Sequence, residues 1–231
     1  AEDQPGGRGR LGRSWSSRPG RDVLFSVVLR PPIPASEVPA LAFLGAVATH
    51  AAVTALHGLK AALKWPNDVM VGRRKLAGVL AEVITGRGRP RHVVVGTGIN
   101  VNSLVREFPA PIRSALTTVR AATGRSVPRL ALLRRVLEEM DRRYGRIRAL
   151  GSTSELVREW SSLSPMVGRI VRVRHGDEVR DGTVAGFDGT NAPAITERPE
   201  YTTMEAAVVG PETRCQEEPQ RAATMAGTMP A

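Results

Sequence analysis

Apolar and polar positions along the chain predict a strand, a long helix and then a hairpin. The β-branched and aromatic run Val23–Leu29 indicates a buried strand that stops before the proline pair at 31–32. Over residues 36–56 the apolar positions recur at helical spacing, with Ser36 as the predicted N-cap and Gly58 at the end. Residues 61–84 then predict a hairpin of short strands separated by turns.

The second half of the main region predicts one more strand and two helices. Residues 92–101 form an apolar run that is interrupted by Gly96 and Gly98. Glycine weakens a strand interior, so the pair suggests a ligand that lies against the backbone there. Residues 128–144 have the apolar stripe of an amphipathic helix, and a shorter helix is predicted around 154–160.

A domain boundary is predicted at residues 165–168, where a proline and a glycine interrupt the pattern. Residues 168–189 alternate apolar and polar positions between turns, which is typical of a small antiparallel barrel-like domain. From Thr190 the alternation stops, and a disordered or aberrant tail is predicted. The chain is therefore divided into residues 1–164, 165–189 and 190–231.

Composition limits the class of protein. The 231 residues, 42% of them apolar, suffice for one substantial core and a small second domain. One cysteine excludes an internal disulfide, and the four histidines lack metal-ligand spacing. No uninterrupted apolar run reaches the roughly 18 residues of a membrane span, and the N-terminus lacks a signal-peptide layout. We expect a cytoplasmic protein without a membrane partner.

The net charge of +11 suggests nucleic acid as one class of partner. The basic residues are nearly all arginine, however, and are spread along the chain with only 4% aromatic residues. This pattern fits a phosphate-bearing small substrate at least as well as a nucleic acid.

Residues 6–17, GGRGRLGRSWSS, contain four glycines and three arginines and are suited to hold anions. Glycine lets successive N–H groups turn toward a ligand, and arginine adds a planar fork for a carboxylate or phosphate. Arg8 and Arg10 would point the same way with Gly9 between them, and Trp15 would supply an apolar wall. The alternatives are a solvated basic loop or an arginine-rich nucleic-acid tail.

The hairpin and the strand after it carry further candidates. Lys75 follows a tight turn, with Gly78 nearby to let a ligand approach, although a lysine beside two arginines also fits a solvated charge run. Asn67, Asp68 and Asn100 are candidates for nucleotide contacts, and they also have the residue types of simple turn-formers.

Three motifs in order, GRGRLGRSW, KWPNDVMVGRRKLAG and VVVGTGINVN, resemble those of the biotin protein ligases, also called biotin-[acetyl-CoA-carboxylase] ligases. The resemblance covers residues 1–189. It implies an α+β fold: a mixed sheet backed by helices, of the class II aminoacyl-tRNA-synthetase and biotin-lipoate ligase type, followed by an SH3-like β-barrel. Residues 1–164 would be the biotin- and ATP-binding catalytic domain, and residues 165–189 the start of the barrel.

The resemblance also implies a ligase reaction. The carboxylate of biotin attacks the α-phosphate of ATP to give biotinyl-5′-AMP and pyrophosphate, with Mg²⁺, and the adenylate then acylates a lysine of a biotin carboxyl carrier domain in a carboxylase. By this resemblance Lys75 and Arg8 are catalytic, Asn67 and Asn100 lie near the nucleotide, and Asp68 helps to hold Mg²⁺. The implied biotin and adenylate site consists of Gln4, Arg8, Gly9, Arg10, Trp15, Lys75 and Gly78.

The chain departs from the family pattern at both ends. Members carry a Thr-Asn segment upstream of the loop, so we expect an N-terminally incomplete chain with little activity of its own. DNA is expected as a partner only with an N-terminal helix-turn-helix, and a homodimer is a further expectation. The rival functions are another acyl-adenylating ligase, such as a lipoate ligase, and a basic nucleic-acid-binding protein.

Overall fold

The computed structural model describes residues 1–86, 89–175, 178–190, 192–196 and 214–217. The main sheet has five strands in the order β1-β5-β4-β3-β2. These strands are β1 (Val23–Leu29), β2 (Ala61–Lys64), β3 (Asp68–Val71), β4 (Arg74–Gly86) and β5 (Arg89–Ile99). The predicted strand at 23–29 and the predicted hairpin are confirmed.

Every pairing in the main sheet is antiparallel, so the expectation of a mixed sheet is wrong. The reason is the length of the connections. Strands β2 to β5 follow one another through turns too short for the crossover that a parallel pair requires. Only β1 reaches its partner β5 from a distance in sequence, and it also runs antiparallel, with Val23 opposite Ile99.

Four helices accompany this sheet: α1 (Leu41–His57), α2 (Val119–Thr123), α3 (Arg129–Leu150) and α4 (Ser154–Leu163). Helix α1 begins five residues later than its predicted cap, because Ala35–Ala40 form a 3₁₀ turn with Pro39 inside it. A proline disfavours the α conformation in the residue before it and has no N–H to donate. Gly58 ends α1 as predicted, with φ at 64°.

The segment Ala35–His57 has the length and apolar composition of a membrane span, with a mean hydropathy of 1.6 in its most apolar window. The sequence analysis expected no apolar run of that length, and this segment passes a test of length and mean hydropathy all the same. However, 72% of that window is buried inside the protein. Helix α1 is therefore accounted for as the central core helix, packed between the main sheet and α3.

A second sheet follows, in the order β8-β7-β6-β9. It consists of β6 (Ile170–His175), β7 (Glu178–Phe187), β8 (Pro193–Thr196) and β9 (Arg214–Glu217). Strands β8 and β9 lie within the predicted disordered tail, so that prediction does not hold at these two segments. Residues 197–213 and 218–231 lie outside the described residues. The SH3-like barrel stays a prediction.

Three aromatic rings connect the second sheet to the helices. Phe43 of α1 stacks on Trp160 of α4 with ring centroids 4.1 Å apart, and Phe187 of β7 meets both rings edge-on at 6.1 and 6.3 Å. Burying three large rings in one cluster fixes β7 against the core that supports the main sheet.

Candidate active site

One face of the main sheet packs against a helix, and the other face lines a cleft. Helix α1 covers one face, where Gly45 lies close to Val79 and Thr97. Side chains alternate along a strand, so Gly78 and Gly98, beside these two residues in sequence, face the other way. There they line a cleft of about 740 Å³.

The cleft brings together nine of the ten residues that were predicted for the site. They come from the N-terminal loop, the β2–β3 turn and strands β3 and β4. The nine are Gln4, Arg8, Gly9, Arg10, Trp15, Asn67, Asp68, Lys75 and Gly78. Asn100 is not among the residues that line it.

Lys75 and Asp68 form an ion pair at the centre of the cleft. The Lys75 Nζ lies 2.6 Å from Asp68 Oδ1, and the side chains are 33% and 25% exposed. The register of β3 and β4 shifts between Val69 and Met70, and Lys75 lies opposite Met70 at this irregularity. Arg73 lies on the turn and Arg74 begins β4; both are exposed, and neither lines the cleft. Lys75 is thus separated from its two cationic neighbours.

The loop closes on itself through backbone hydrogen bonds. Gly7 N–H donates to Gln4 at 3.1 Å, Trp15 N–H donates to Gly7 at 2.9 Å, and Gly9 N–H donates to Arg13 at 2.7 Å. These three N–H groups are therefore not directed at a ligand, so the expected backbone anion nest does not form at Gly7 or Gly9. What the loop offers to an anion is its arginine side chains.

Arg10 lies deeper in the site than Arg8. Burial lowers the pKa of the Arg10 guanidinium below its ordinary value, and the nearby Asp68 carboxylate opposes that shift. Arg10 is thus a second cation beside the Lys75–Asp68 pair. The Arg8 side chain is 76% exposed at the rim, 3.5 Å from Glu82. The catalytic role of Arg8 stays a prediction, and the more buried Arg10 is a second candidate for it.

The sequence analysis missed Glu82, which also lines the cleft. A signal was present, because Glu82 lies four residues after Gly78 on the same strand, and residues at even spacing share a face. It brings a carboxylate to the rim, opposite Arg8.

Trp15 lies on two glycines that pair across neighbouring strands. Gly78 of β4 is the register partner of Gly98 of β5. A Cβ at Gly98 would lie 2.5 Å from the indole Cε2, and one at Gly78 would lie 3.0 Å from Cζ3. The ring centroid is 5.5 Å from the Lys75 Nζ, a cation–π distance. The Trp15 Nε1 is buried without a hydrogen-bond partner among the described residues.

The two asparagines have different surroundings. Asn67 lines the cleft, and its amide donates to the Val79 carbonyl, which orients it beside β4. Asn100 is 3% exposed, and its Nδ2 donates to the Thr117 carbonyl at 3.1 Å. Thr117 N–H in turn donates to the Lys75 carbonyl at 2.9 Å. Asn100 supports the chain behind Lys75 and does not reach the cleft.

Asp68 is the predicted magnesium ligand. Its Oδ1 is buried and accepts no regular hydrogen bond, with the Lys75 ammonium beside it. The described part of the chain contains no group of three acidic, histidine or cysteine side chains that would cage a metal ion. One carboxylate is nevertheless compatible with Mg²⁺, which commonly binds through one or two carboxylates, substrate phosphates and water.

Sequence comparisons show which known proteins this chain is similar to. Residues 1–100 match the biotin/lipoate A/B protein ligase family model. The bifunctional ligase/repressor BirA of Bacillus subtilis is 32% identical over 188 residues, covering 81% of this chain and 58% of that protein. The biotin-[acetyl-CoA-carboxylase] ligase of Mycobacterium tuberculosis is 36% identical over 180 residues, covering 75% and 62%. The chain thus spans about three-fifths of these relatives.

A comparison with solved structures supports the same family. The biotin protein ligase of Aquifex aeolicus in complex with biotin and ATP superposes with a TM-score of 0.77 at 27% identity, over 94% of this chain and 87% of that one. Agreement between the family model, the relatives and this structure shows that the chain belongs to the biotin protein ligase family.

Proposed function

We propose that this protein activates biotin with ATP to biotinyl-5′-AMP and transfers the biotinyl group to a lysine of a biotin carboxyl carrier domain. The observation that carries the proposal is the cleft in which Lys75, Asp68 and Arg10 meet under the Trp15 loop. Relatives that share the sequence are biotin-[acetyl-CoA-carboxylase] ligases, and a relative that shares the fold binds biotin and ATP.

Activation must bring two anions together. A biotin carboxylate oxygen bonds to the α-phosphorus of ATP while the bond to the pyrophosphate oxygen breaks. Lys75, whose only ion-pair partner among the described residues is Asp68, presents an ammonium to the oxygens on which charge develops. Arg10 adds a guanidinium fork on the loop side, suited to a phosphate or carboxylate.

Transfer needs a long-lived, dry intermediate. The acceptor lysine amine attacks the acyl carbonyl of the adenylate, and AMP leaves with the electron pair of the broken acyl–oxygen bond. Trp15 covers the glycine pair on the floor of the cleft, so this loop is suited to keep water from the mixed anhydride. Gln4 and Gly9 complete the loop wall.

Magnesium fits this cleft through one protein ligand. Asp68 would hold it, and the remaining ligands would come from the phosphates and water. When bound, the ion neutralises phosphate charge. Asn67, oriented by β4, is positioned to contact the nucleotide beside it.

A nucleic-acid-binding function is less well supported than the charge suggests. On α3, Arg134 and Arg135 pair with Glu138, and Arg146 pairs with Glu155 of α4. This part of the basic surface is thus partly neutralised. A repressor role, which relatives named ligase/repressor have, needs a DNA-binding segment; the homodimer and the cytoplasmic location are likewise predictions.

The test is biotin-dependent exchange between ATP and labelled pyrophosphate. We expect exchange with biotin and Mg²⁺ in a version of the protein that carries the family's upstream Thr-Asn segment, weak exchange from residues 1–231 alone, and none when lipoate replaces biotin. Exchange with lipoate alone would favour the sister ligase activity. Absence of exchange with either acid, in folded protein that carries this segment, would contradict the proposal. Tight DNA binding with a steep salt dependence would favour the nucleic-acid alternative.

A further inference from the structure

A second, smaller pocket lies at the end of the glycine- and arginine-rich loop of residues 6–17, called the catalytic loop below. It shares no lining residue with the main cleft. The main cleft takes the loop up to Trp15, and this pocket begins at Ser16. Its volume is about 330 Å³. The lining residues are Ser16, Ser17, Arg18, Arg106, Glu107, Phe108, Pro109 and Arg113.

Three arginines from separate segments converge on this pocket. Arg18 follows the loop, Arg106 lies in the 3₁₀ turn Val105–Glu107, and Arg113 lies in the 3₁₀ turn Ala110–Ala115. Like charges repel, so such a convergence is favourable when an anion offsets it. In the described part of the chain, none of the three forms an ion pair within 4 Å.

Most hydrogen-bond donors of these arginines remain available. Arg18 donates one N–H to the Glu107 carbonyl at 2.9 Å, and Arg113 donates its Nε–H to the Phe108 carbonyl at 2.7 Å. Each guanidinium has five N–H donors. These two bonds also fix both side chains at the rim of the pocket, which reduces the entropy lost on ligand binding.

The one acidic side chain in the lining is already engaged. The Glu107 Oε2 accepts the Leu104 N–H at 2.7 Å, as part of the cap of its own turn. With three arginines and one glutamate the lining carries a net charge of +2. The hydroxyls of Ser16 and Ser17 add neutral donors.

We propose that this pocket is a second oxyanion site, separate from the catalytic cleft, that binds free pyrophosphate or inorganic phosphate. Several guanidiniums around a small concave space suit a compact anion with many oxygens. An extended acidic protein segment would need a longer groove. Because Ser16 follows Trp15 directly, an anion here holds the end of the catalytic loop against residues 105–113.

The experiment uses pyrophosphate as the probe and binding as the readout, so it does not depend on turnover. Calorimetric titration is carried out on Lys75→Ala, which removes one of the two cations, Lys75 and Arg10, at the centre of the main cleft. We expect one pyrophosphate per chain to remain bound. Adding Arg106→Gln should weaken this binding about tenfold, the order of one charge-assisted hydrogen bond. The control is Arg148→Gln, which replaces an exposed arginine on α3. It should change the affinity for pyrophosphate less than twofold.

The Arg106 side chain makes no hydrogen bond with the described residues, so its replacement should leave the melting temperature unchanged. Ser17→Asp, which puts a negative charge in the same pocket, should cause a similar loss. Unchanged pyrophosphate binding in both variants, or none in Lys75→Ala, would overturn the proposal. ATP binding distinguishes a separate anion site from a part of the nucleotide site. A tenfold loss of ATP affinity in Arg106→Gln would show that the pocket holds the phosphates of ATP, and it would overturn the proposal of a separate site.

Discussion

The indole of Trp15 contacts Gly98 so closely that position 98 has no room for a side chain. A methyl group there would lie 2.5 Å from Cε2, 2.7 Å from Cζ2 and 2.9 Å from Nε1. Gly98 lies in an interior strand, where glycine is otherwise unfavourable. The physical reason for this glycine is therefore the approach of the loop, and it links the third sequence motif to the first.

Gly98→Ala should displace Trp15 from the floor of the cleft. We expect at least tenfold weaker retention of the adenylate, because the loop no longer closes over it. Gly96→Ala is the matched control: its Cβ would lie 3.6 Å from Ser26 Oγ, an ordinary contact. Tryptophan fluorescence and adenylate dissociation measure the effect. Equal losses in the two variants would show that Trp15 packing is not the cause.

Lys75→Ala should slow adenylate formation by about 10²-fold or more, the order seen when one preorganised charge-stabilising group is removed. Biotin affinity should fall less, because the ammonium acts mainly on charge that develops in the transition state. Single-turnover kinetics measure the step. Arg74→Ala, an exposed cation one residue away, is the control, and a rate unchanged in Lys75→Ala would remove the catalytic assignment.

Arg10→Lys should release the adenylate more readily than Arg8→Lys. Both substitutions keep the charge and lose the fork, but Arg10 lies half-buried near Asp68 while Arg8 is 76% exposed. We expect about a tenfold faster loss for Arg10→Lys and less than threefold for Arg8→Lys. Gel filtration of the preformed intermediate reports retention. The opposite order would return the principal role to Arg8.

Asn100→Ala should destabilise the fold more than it affects the nucleotide. The substitution leaves the buried Thr117 carbonyl without its donor, which costs about 1–3 kcal/mol. The Kd for ATP should change less than threefold. Urea unfolding and ATP titration test the two effects separately. A tenfold weaker ATP affinity at unchanged stability would support the nucleotide contact that the family resemblance implies.

Glu37→Gln should lower stability in a pH-dependent way. The Glu37 carboxylate accepts Thr153 N–H at 2.6 Å and the hydroxyls of Thr153 and Ser152 at 2.8 and 3.1 Å. The backbone hydrogen bond from Thr153 is the main cause that lowers the pKa of Glu37 below its ordinary value of 4.5, against an opposing effect of burial.

A lowered folded-state pKa means that the stabilisation is present above about pH 4.5 and is lost as pH falls through the folded-state pKa. We expect Glu37→Gln to cost about 1 kcal/mol of unfolding free energy at pH 7 and less than that at pH 3. Denaturant titrations at both pH values measure this difference. Glu138→Gln, on an exposed i,i+4 pair, should cost about 0.3–0.5 kcal/mol. A Glu37→Gln cost independent of pH would exclude the charged hydrogen bonds as its origin.

Local chemistry was enough to predict several elements from the sequence. The β-branched run gave β1 at Val23–Leu29, and Gly58 marked the end of α1 because a left-handed residue suits glycine. Nine of the ten residues predicted for the site also line the cleft. These features depend on residue type and spacing within a short segment.

Only the tertiary structure decided which contacts form between segments that are distant in the sequence. Spacing put Arg8 and Arg10 on one side of an extended loop, but only packing places Arg10 near Asp68 and Arg8 at the rim. The N–H groups of Gly7 and Gly9 form hydrogen bonds inside the loop, and Asn100 turns away from the cleft toward Thr117. Sequence determines which groups a segment offers; which partner each group meets depends on elements distant in the chain, brought opposite it by burial of the core.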